Sequence, residues 1–444
     1  MLIDFKVRNF LSFEKEEVFS LVAGKGRNFN ERLYQNGSNK ILKFSSLFGA
    51  NGSGKSNFVK AISFSRDYII RGNDRATIQK YNKINPNCKE STSSFEYKIS
   101  IDQKIYTYGF EILLSKNEVV AEWLYLNTSR TDKLVFKHER KNNEFILGEY
   151  FRNNDLRNRL NIISDSISSN NGILFLKAVS TYNNLFSEHS EAIILKEVFW
   201  WFEINLKVKK PDSIISDYAY FMSEKNMDSI LKFFKDFDLS ISNYNFFECP
   251  KEQIALKLPK EIFEDLVSRI EKDLIEDEEN NCVMFGLADD FYIAKIVDEH
   301  ISFETIQFYH EGTKTPFYMS EESDGTKKIF KLLEILFQED DDIVYVVDEI
   351  DRCLHPLLTF NFISAFLEKA KKTNCQLIVT THESILLDFN LLRKDEVWFV
   401  SKEDGCSALE SMGISNIRAD KNLMKSYLLG KIAVPNIKNN TYKS

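Results

Sequence analysis

The chain has 444 residues, of which 43% are hydrophobic, 13% aromatic and 28% charged. At about 100–200 residues per domain this predicts two or three lobes, and so much apolar material excludes disorder as the overall state. A net charge of −8, from 58 basic and 66 acidic residues, argues against coating DNA through bulk charge, although a local basic patch stays open.

No run of ~18 uncharged apolar residues occurs, as a membrane-spanning helix would need. Asp4, Lys6 and Arg8 interrupt the stretch where a signal peptide carries its apolar core. The expectation is a soluble, cytoplasmic protein with no membrane partner. Cys88, Cys249, Cys282, Cys353, Cys375 and Cys406 form no CxxC pair, so reduced thiols explain them better than disulfides or zinc.

Residues 1–48 read as short strands: LIDFKVRNF alternates apolar and polar residues, EEVFSLVA follows, and ILKFSSLF runs into a glycine-rich turn. Residues 57–70 then carry apolar positions at helical spacing. Period two returns in FEYKISI, KIYTYGFEILL and EVVAEWLYL, which predicts an antiparallel meander. From about 150 the character changes to helical segments with charged faces, without the sustained heptads of a coiled-coil arm. The acidic stretch Glu276–Glu279 reads as a solvated helix end. Trp200, Trp201 and Phe202 read as core, and Lys207, Lys209 and Lys210 as a solvated loop. From 291 apolar strands alternate with helices, the pattern of a parallel α/β core. The expected domains are 1–149, 150–290 (a helical insertion) and 291–444.

Four motifs carry chemistry. In GANGSGKS, Gly49 to Ser56, glycines let successive N–H groups turn toward phosphate oxygens at a helix start. There Lys55 reaches the β- and γ-phosphates and Ser56 binds Mg²⁺. The SDGT stretch, Ser323 to Thr326, precedes an amphipathic helix and makes a second anion-binding helix start. In IVYVVDEID, five apolar or aromatic residues form a buried strand with Asp348 and Glu349 at its C-terminal edge, where open α/β sheets bind ligands. Asp348 is placed to hold the magnesium and Glu349 to polarise an attacking water. In QLIVTTHES, His382 lies just past another strand end, placed to donate to a γ-phosphate oxygen or to sense its loss.

The order GANGSGKS, SDGT, DEIDRCLHP and TTHES resembles the ATP-binding-cassette type ATPase head. It is more specifically similar to the overcoming-lysogenization-defect and RloA-like branch of bacterial ATPases, a likeness that extends to IDFKVRNFLSF near the start and to DEVWFVSKEDG and YLLGKIAVPNI near the end. The resemblance implies an α/β fold: an ABC-type P-loop NTPase head with an antiparallel β subdomain and an inserted helical lobe. It implies ATP and Mg²⁺ as cofactors, with nucleotide-binding residues Asn51, Gly52, Ser53, Gly54, Lys55, Ser56 and Asn57, metal ligands Ser56 and Asp348, and catalytic Glu349 and His382. Ser323, Asp324 and Gly325 would be a signature acting on ATP bound to a second subunit, with Asp351 in the D-loop. The signature is SDGT rather than LSGGQ, which sets the chain apart from transporters. No Q-loop glutamine is assigned, since neither Gln79 nor Gln103 clearly ends a strand facing the phosphates.

The implied mechanism is a homodimer or higher oligomer closed around ATP, turning over slowly and regulating an effector protein, a nuclease or toxin encoded by a neighbouring gene, in antiphage defence. The stretch after His382 is shorter than the ~100 residues of a compact nuclease domain, so the chain is not expected to cut nucleic acid itself. The alternative is a DNA-repair or chromosome-maintenance head of the RecF or SMC type, which would carry a basic DNA track.

Overall fold

A computed structural model describes residues 1–26, 28–72, 79–128, 130–142, 144–167, 172–211, 224–276, 282–287, 290–297, 300–338, 340–413 and 423–428. The chain divides into two compact units. One comprises Met1–Pro211, Asp340–Asp351 and Ile363–Ser444, the other Asp212–Glu339 and Arg352–Phe362.

The first unit opens with β1 (Leu2–Arg8) and β2 (Glu17–Ser20), a small hairpin β3 (Leu33–Asn36) and β4 (Asn39–Leu42), and then β5 (Phe44–Phe48). Helix α1 (Lys55–Arg71) follows. The meander continues through β6 (Ser93–Ile101), β7 (Lys104–Leu113), β8 (Glu118–Asn127), β9 (Asp132–Glu139) and β10 (Glu144–Leu147). These strands form a seven-stranded antiparallel sheet in the order β10-β9-β8-β7-β6-β1-β2. Alternation decides which face is covered: Phe95, Tyr97 and Ile99 of β6 are buried, while Ser94, Glu96 and Lys98 between them are not. Against that face lies α1, with Phe58 packed edge-on to Phe5 at 5.8 Å and Tyr68 stacked on Phe110 at 5.6 Å. Each fully buried aromatic there contributes about 1.5–3 kcal/mol.

Helices α2 (Asn154–Ile167), α3 (Phe175–Ser180), α4 (Asn183–Glu188) and α5 (Ile193–Trp200) join the same core, and β11 (Leu206–Lys209) follows. Trp201 and Phe202 are buried, Phe202 against Tyr97 at 5.0 Å, whereas Trp200 is 45% exposed with Lys196 over its ring. Lys207 and Lys209 lie in a strand rather than a loop, because β11 pairs in parallel with the strand that ends at Val347.

The second unit combines helices with a sheet. Its strands are β12 (Ile241–Glu248), β13 (Cys282–Leu287), β14 (Asp290–Val297), β15 (His300–His310) and β16 (Phe317–Tyr318), with β12-β15-β14-β13 antiparallel and β16 on β15. Strands therefore occupy stretches before residue 290 for which the sequence predicts helix. The alternation in ISNYNFFE is short and sits between strongly helical segments, Glu224–Asp236 and Lys260–Glu276, while CVMFGL is a short apolar run that follows the second of them. Of the acidic stretch, Glu276 ends a helix and 277–279 lie outside the described residues, as do 429–437 of the C-terminal motif.

The chain then returns to the first unit with β17 (Val344–Val347), β18 (Gln376–Thr380), β19 (Val397–Glu403) and β20 (Cys406–Ser411). These build a six-stranded sheet in the order β11-β17-β18-β5-β19-β20, parallel except for the β19–β20 hairpin. Gln376 ties the two large sheets together: its side chain accepts from the N–H of Leu2 at 2.9 Å and donates to the carbonyls of Leu2 and Leu42 at 3.0 and 2.8 Å. The result is the α/β P-loop NTPase head with an antiparallel β subdomain. All six cysteines are free, and no described helix is long and apolar enough to cross a membrane.

Glu396, ahead of β19, is almost fully buried with Arg32 at 3.8 Å. Burial lifts its carboxyl from 4.5 to about 7, against the pull of Arg32 and the N–H of Arg393. The folded state thus binds this proton more tightly than the unfolded chain, so its contribution is most favourable below 4.5 and is lost as pH rises through 7. Urea titrations of wild type and Glu396→Gln on either side of that window should show the stability difference moving toward the variant by on the order of 3 kcal/mol at the higher pH.

Candidate functional site

The C-terminal edge of the parallel sheet gathers three strand ends. Strand β5 is buried throughout and runs into the Gly49–Gly54 turn, from which α1 starts at Lys55. Gly52 and Gly54 have φ of +76° and +119°, a region that favours glycine. A β-carbon on Gly54 would lie 2.1 Å from Ser407 Oγ, and one on Gly49 2.4 Å from the Val400 carbonyl. Lys55 is 5% exposed and donates to the carbonyls of Gly49 (2.7 Å) and Ala50 (3.1 Å). Burial pulls its ammonium from 10.5 down to about 8, opposed by Asp351, Asp348 and Glu349.

Those carboxylates follow β17. Asp348 is 5% exposed, and a buried charge of that kind needs partners. Ser56 Oγ donates to its Oδ1 at 3.2 Å, and Thr380 Oγ1 donates to the same oxygen at 2.6 Å. Thr380 Oγ1 also accepts from the N–H of Glu349 at 2.8 Å. One hydroxyl therefore sets both the Asp348 carboxylate and the Glu349 backbone. Glu349 sits at φ +49°, a left-handed conformation rare outside glycine that is costly to hold and recurs at functional sites. The arrangement exists because β18 lies between β17 and β5 in space, although it is the last of the three in sequence.

Just beyond β18, the backbone N–H of His382 donates to Asp351 Oδ2 at 3.2 Å. Desolvation, then Lys55, push the imidazole below its ordinary value, against Asp351, Glu349 and Asp348. The first unit thus brings together Lys55, Ser56, Asp348, Glu349, Asp351 and His382, with Asn51 and Gly52 exposed at the turn. Ser323, Asp324 and Gly325 stand in the second unit. There Ser323 caps the helix Asp324–Phe337, its Oγ accepting from the Thr326 N–H at 3.1 Å, and both Ser323 and Asp324 are exposed. Gln103 donates to Tyr34 from the turn between β6 and β7, and Gln79 is exposed in a turn.

At this edge two of the described residues carry a buried polar atom with no hydrogen-bond partner: Ser53 Oγ in the turn and Asp351 Oδ1 beside His382. Together with the glycine cradle, the Lys55 ammonium and the Asp348–Ser56 pair, they fit a polyphosphate with its magnesium. Ser56 and Asp348 are the groups that would hold the metal. No group of three or more His, Cys, Asp or Glu suited to a metal occurs among the described residues.

Four contributors have no role assigned from the sequence: Thr380, Ser12, Ser407 and Tyr427, although QLIVTTHES, IDFKVRNFLSF and YLLGKIAVPNI contain three of them. Thr380 has a usable signal, as the polar residue ending an apolar strand next to His382. Tyr427 has none. Its hydroxyl donates to the Gly49 carbonyl at 3.3 Å while its ring packs on Phe48 and Phe399.

A family model described as "AAA domain, putative AbiEii toxin, Type IV TA system" matches residues 44–388. No curated protein matches the chain. Among solved structures, the SMC head domain from Thermotoga maritima aligns over 92% of this chain and 98% of its own, with 14% identity and a TM-score of 0.36. The SmcHead bound to the C-winged helix domain of ScpA aligns over 92% and 97%, with 15% identity and a TM-score of 0.38. An Smc head domain with an extended coiled coil, bound to the C-terminal domain of ScpA derived from Pyrococcus furiosus, aligns over 92% and 96%, with 14% identity and a TM-score of 0.37.

Thr380→Val keeps the shape of the side chain and removes both hydrogen bonds. It should weaken Mg-ATP binding about tenfold and lower stability by about 1–3 kcal/mol, read by titration calorimetry and a urea midpoint. Unchanged values for both would show that Asp348 and Glu349 are set by something else.

Proposed function

The chain belongs to the AAA-domain family matched over residues 44–388, and from that premise we propose that it binds and hydrolyses ATP between two copies of itself. The observation that carries the reading is the buried Asp348 carboxylate, fixed by Ser56 and Thr380 beside Lys55 and followed by a half-buried Glu349. Such an edge suits phosphoryl transfer, where positioning and charge stabilisation supply most of the catalysis. Glycine-turn N–H groups and Lys55 bind the phosphates, and Glu349 orients and deprotonates the attacking water. His382 stands where it can respond to the terminal phosphate, with its backbone tied to Asp351. Magnesium, when bound, neutralises charge shared between the β- and γ-phosphates.

Ser323, Asp324 and Gly325 present a second helix start, and in this reading they meet the terminal phosphate held by the partner copy, with Asp351 as the D-loop residue. ATP then binds the two copies together, and hydrolysis removes that contact and releases them, with slow turnover. The released or closed assembly regulates a separate effector, in antiphage defence of the overcoming-lysogenization-defect and RloA-like kind. The family's description, which names an AbiEii toxin and a type IV toxin–antitoxin system, supports a role in abortive infection.

Glu349→Gln should bind ATP without consuming it and accumulate as a dimer or larger assembly. Light scattering with and without Mg-ATP decides the matter: a variant that stays monomeric at saturating nucleotide removes the sandwich model.

A further inference from the structure

The turn that receives the phosphates is held on its other side by three buried or half-buried side chains from distant parts of the chain. Ser12 follows β1, Asn57 lies in the first turn of α1, and Ser407 lies on β20. Asn57 Nδ2 lies 2.8 Å from Ser12 Oγ, Ser12 Oγ lies 2.7 Å from Ser407 Oγ, and Ser407 Oγ lies 2.5 Å from the carbonyl of Ser53. The backbone N–H of Ser407 also donates to the Ser12 carbonyl at 2.8 Å, which locks β20 to this loop. Glycine at 54 is what lets Ser407 approach so closely.

The direction of these hydrogen bonds follows from their last member. A carbonyl only accepts, so the single hydroxyl proton of Ser407 goes to Ser53. Ser407 must then accept from Ser12, whose own proton is thereby used. Ser12 in turn must accept, and position 57 must present its NH₂ group. In a trans peptide the carbonyl of one residue and the N–H of the next point in opposite directions. A Ser53 carbonyl held toward Ser407 therefore directs the Gly54 N–H to the opposite side, as a phosphate-binding turn requires.

We infer that Asn57, Ser12 and Ser407 form a one-directional hydrogen-bond relay that orients the Ser53–Gly54 peptide for phosphate, making the three of them positioning residues for nucleotide binding. The inference rests on the nucleotide reading above. It also gives the C-terminal hairpin β19–β20 a part in a site otherwise built from the sheet's strand ends.

Mg-ATP affinity of the folded full-length chain, measured by titration calorimetry, tests it with Ser12→Ala, Ser407→Ala and the double variant. Each single change should weaken binding about tenfold, and the double change should be no weaker than either, because Ser407→Ala removes the hydroxyl that holds the carbonyl and Ser12→Ala frees that hydroxyl to turn away from it. A role confined to stability would lower the thermal midpoint of the nucleotide-free protein and leave the affinity of the folded fraction untouched. That outcome, or losses that simply add in the double variant, overturns the relay. Should Ser407→Ala fail to fold, the cycle is run with Ser12→Ala and Asn57→Ala, for which the same non-additivity is expected and additive losses are fatal. If wild type itself binds no Mg-ATP, the nucleotide reading has failed and the relay falls with it.

Discussion

A carboxylate 5% exposed at the end of an apolar strand is the constraint around which the site is organised. A carboxylate held away from bulk water needs hydrogen-bond donors and a positive charge close by. Ser56 and Thr380 supply the donors on the same oxygen, and the Lys55 ammonium supplies part of the field. The compensation runs both ways, since Lys55, itself pushed toward neutrality by burial, is held charged by Asp351, Asp348 and Glu349. Each group is tolerable inside the fold because the others are there.

That mutual dependence explains the strand order. Ser56 follows β5, Asp348 follows β17 and Thr380 ends β18, so a Thr hydroxyl can bridge toward Asp348 only if β18 sits beside β17 and the phosphate turn beyond it. Parallel pairing of β17, β18 and β5 puts all three strand ends on one edge. The antiparallel sheet contributes at a distance. Its aromatic face clamps α1, and Gln376 fastens β1 to the foot of β18. The helix carrying Lys55, Ser56 and Asn57 is thus packed against that face, which holds those side chains in place.

Motifs with fixed spacing are legible in the amino-acid sequence. GANGSGKS sits between a buried strand and a helix, DEID follows the strand Val344–Val347, TTHES follows Gln376–Thr380, and Ser323 caps the helix that SDGT begins. Alternation in residues 95–126 reads out as the meander of β6, β7 and β8. Where fold and pattern disagree, competing signals are the cause. Charged amphipathic helices on either side conceal the short strand β12, and the one ahead of β13 conceals that strand. Lys207 and Lys209, with Lys210 just beyond, make β11 look solvated, although its backbone pairs with β17 and its Lys209 carbonyl accepts from the Asp348 N–H.

Sequence by itself determined which candidate residues stand at strand ends and helix starts and which local structures present them, because glycine turns, strand-end carboxylates and helix caps are set by neighbours a few positions apart. Only the tertiary structure decided who supports them. Ser12, Ser407 and Tyr427 reach the site from segments tens to hundreds of residues away, and Thr380, though two positions from His382, meets Asp348 only across neighbouring strands. Their pairing depends on strand order and on sheets stacked over a shared helix, which are properties of the closed core and of no single stretch of chain.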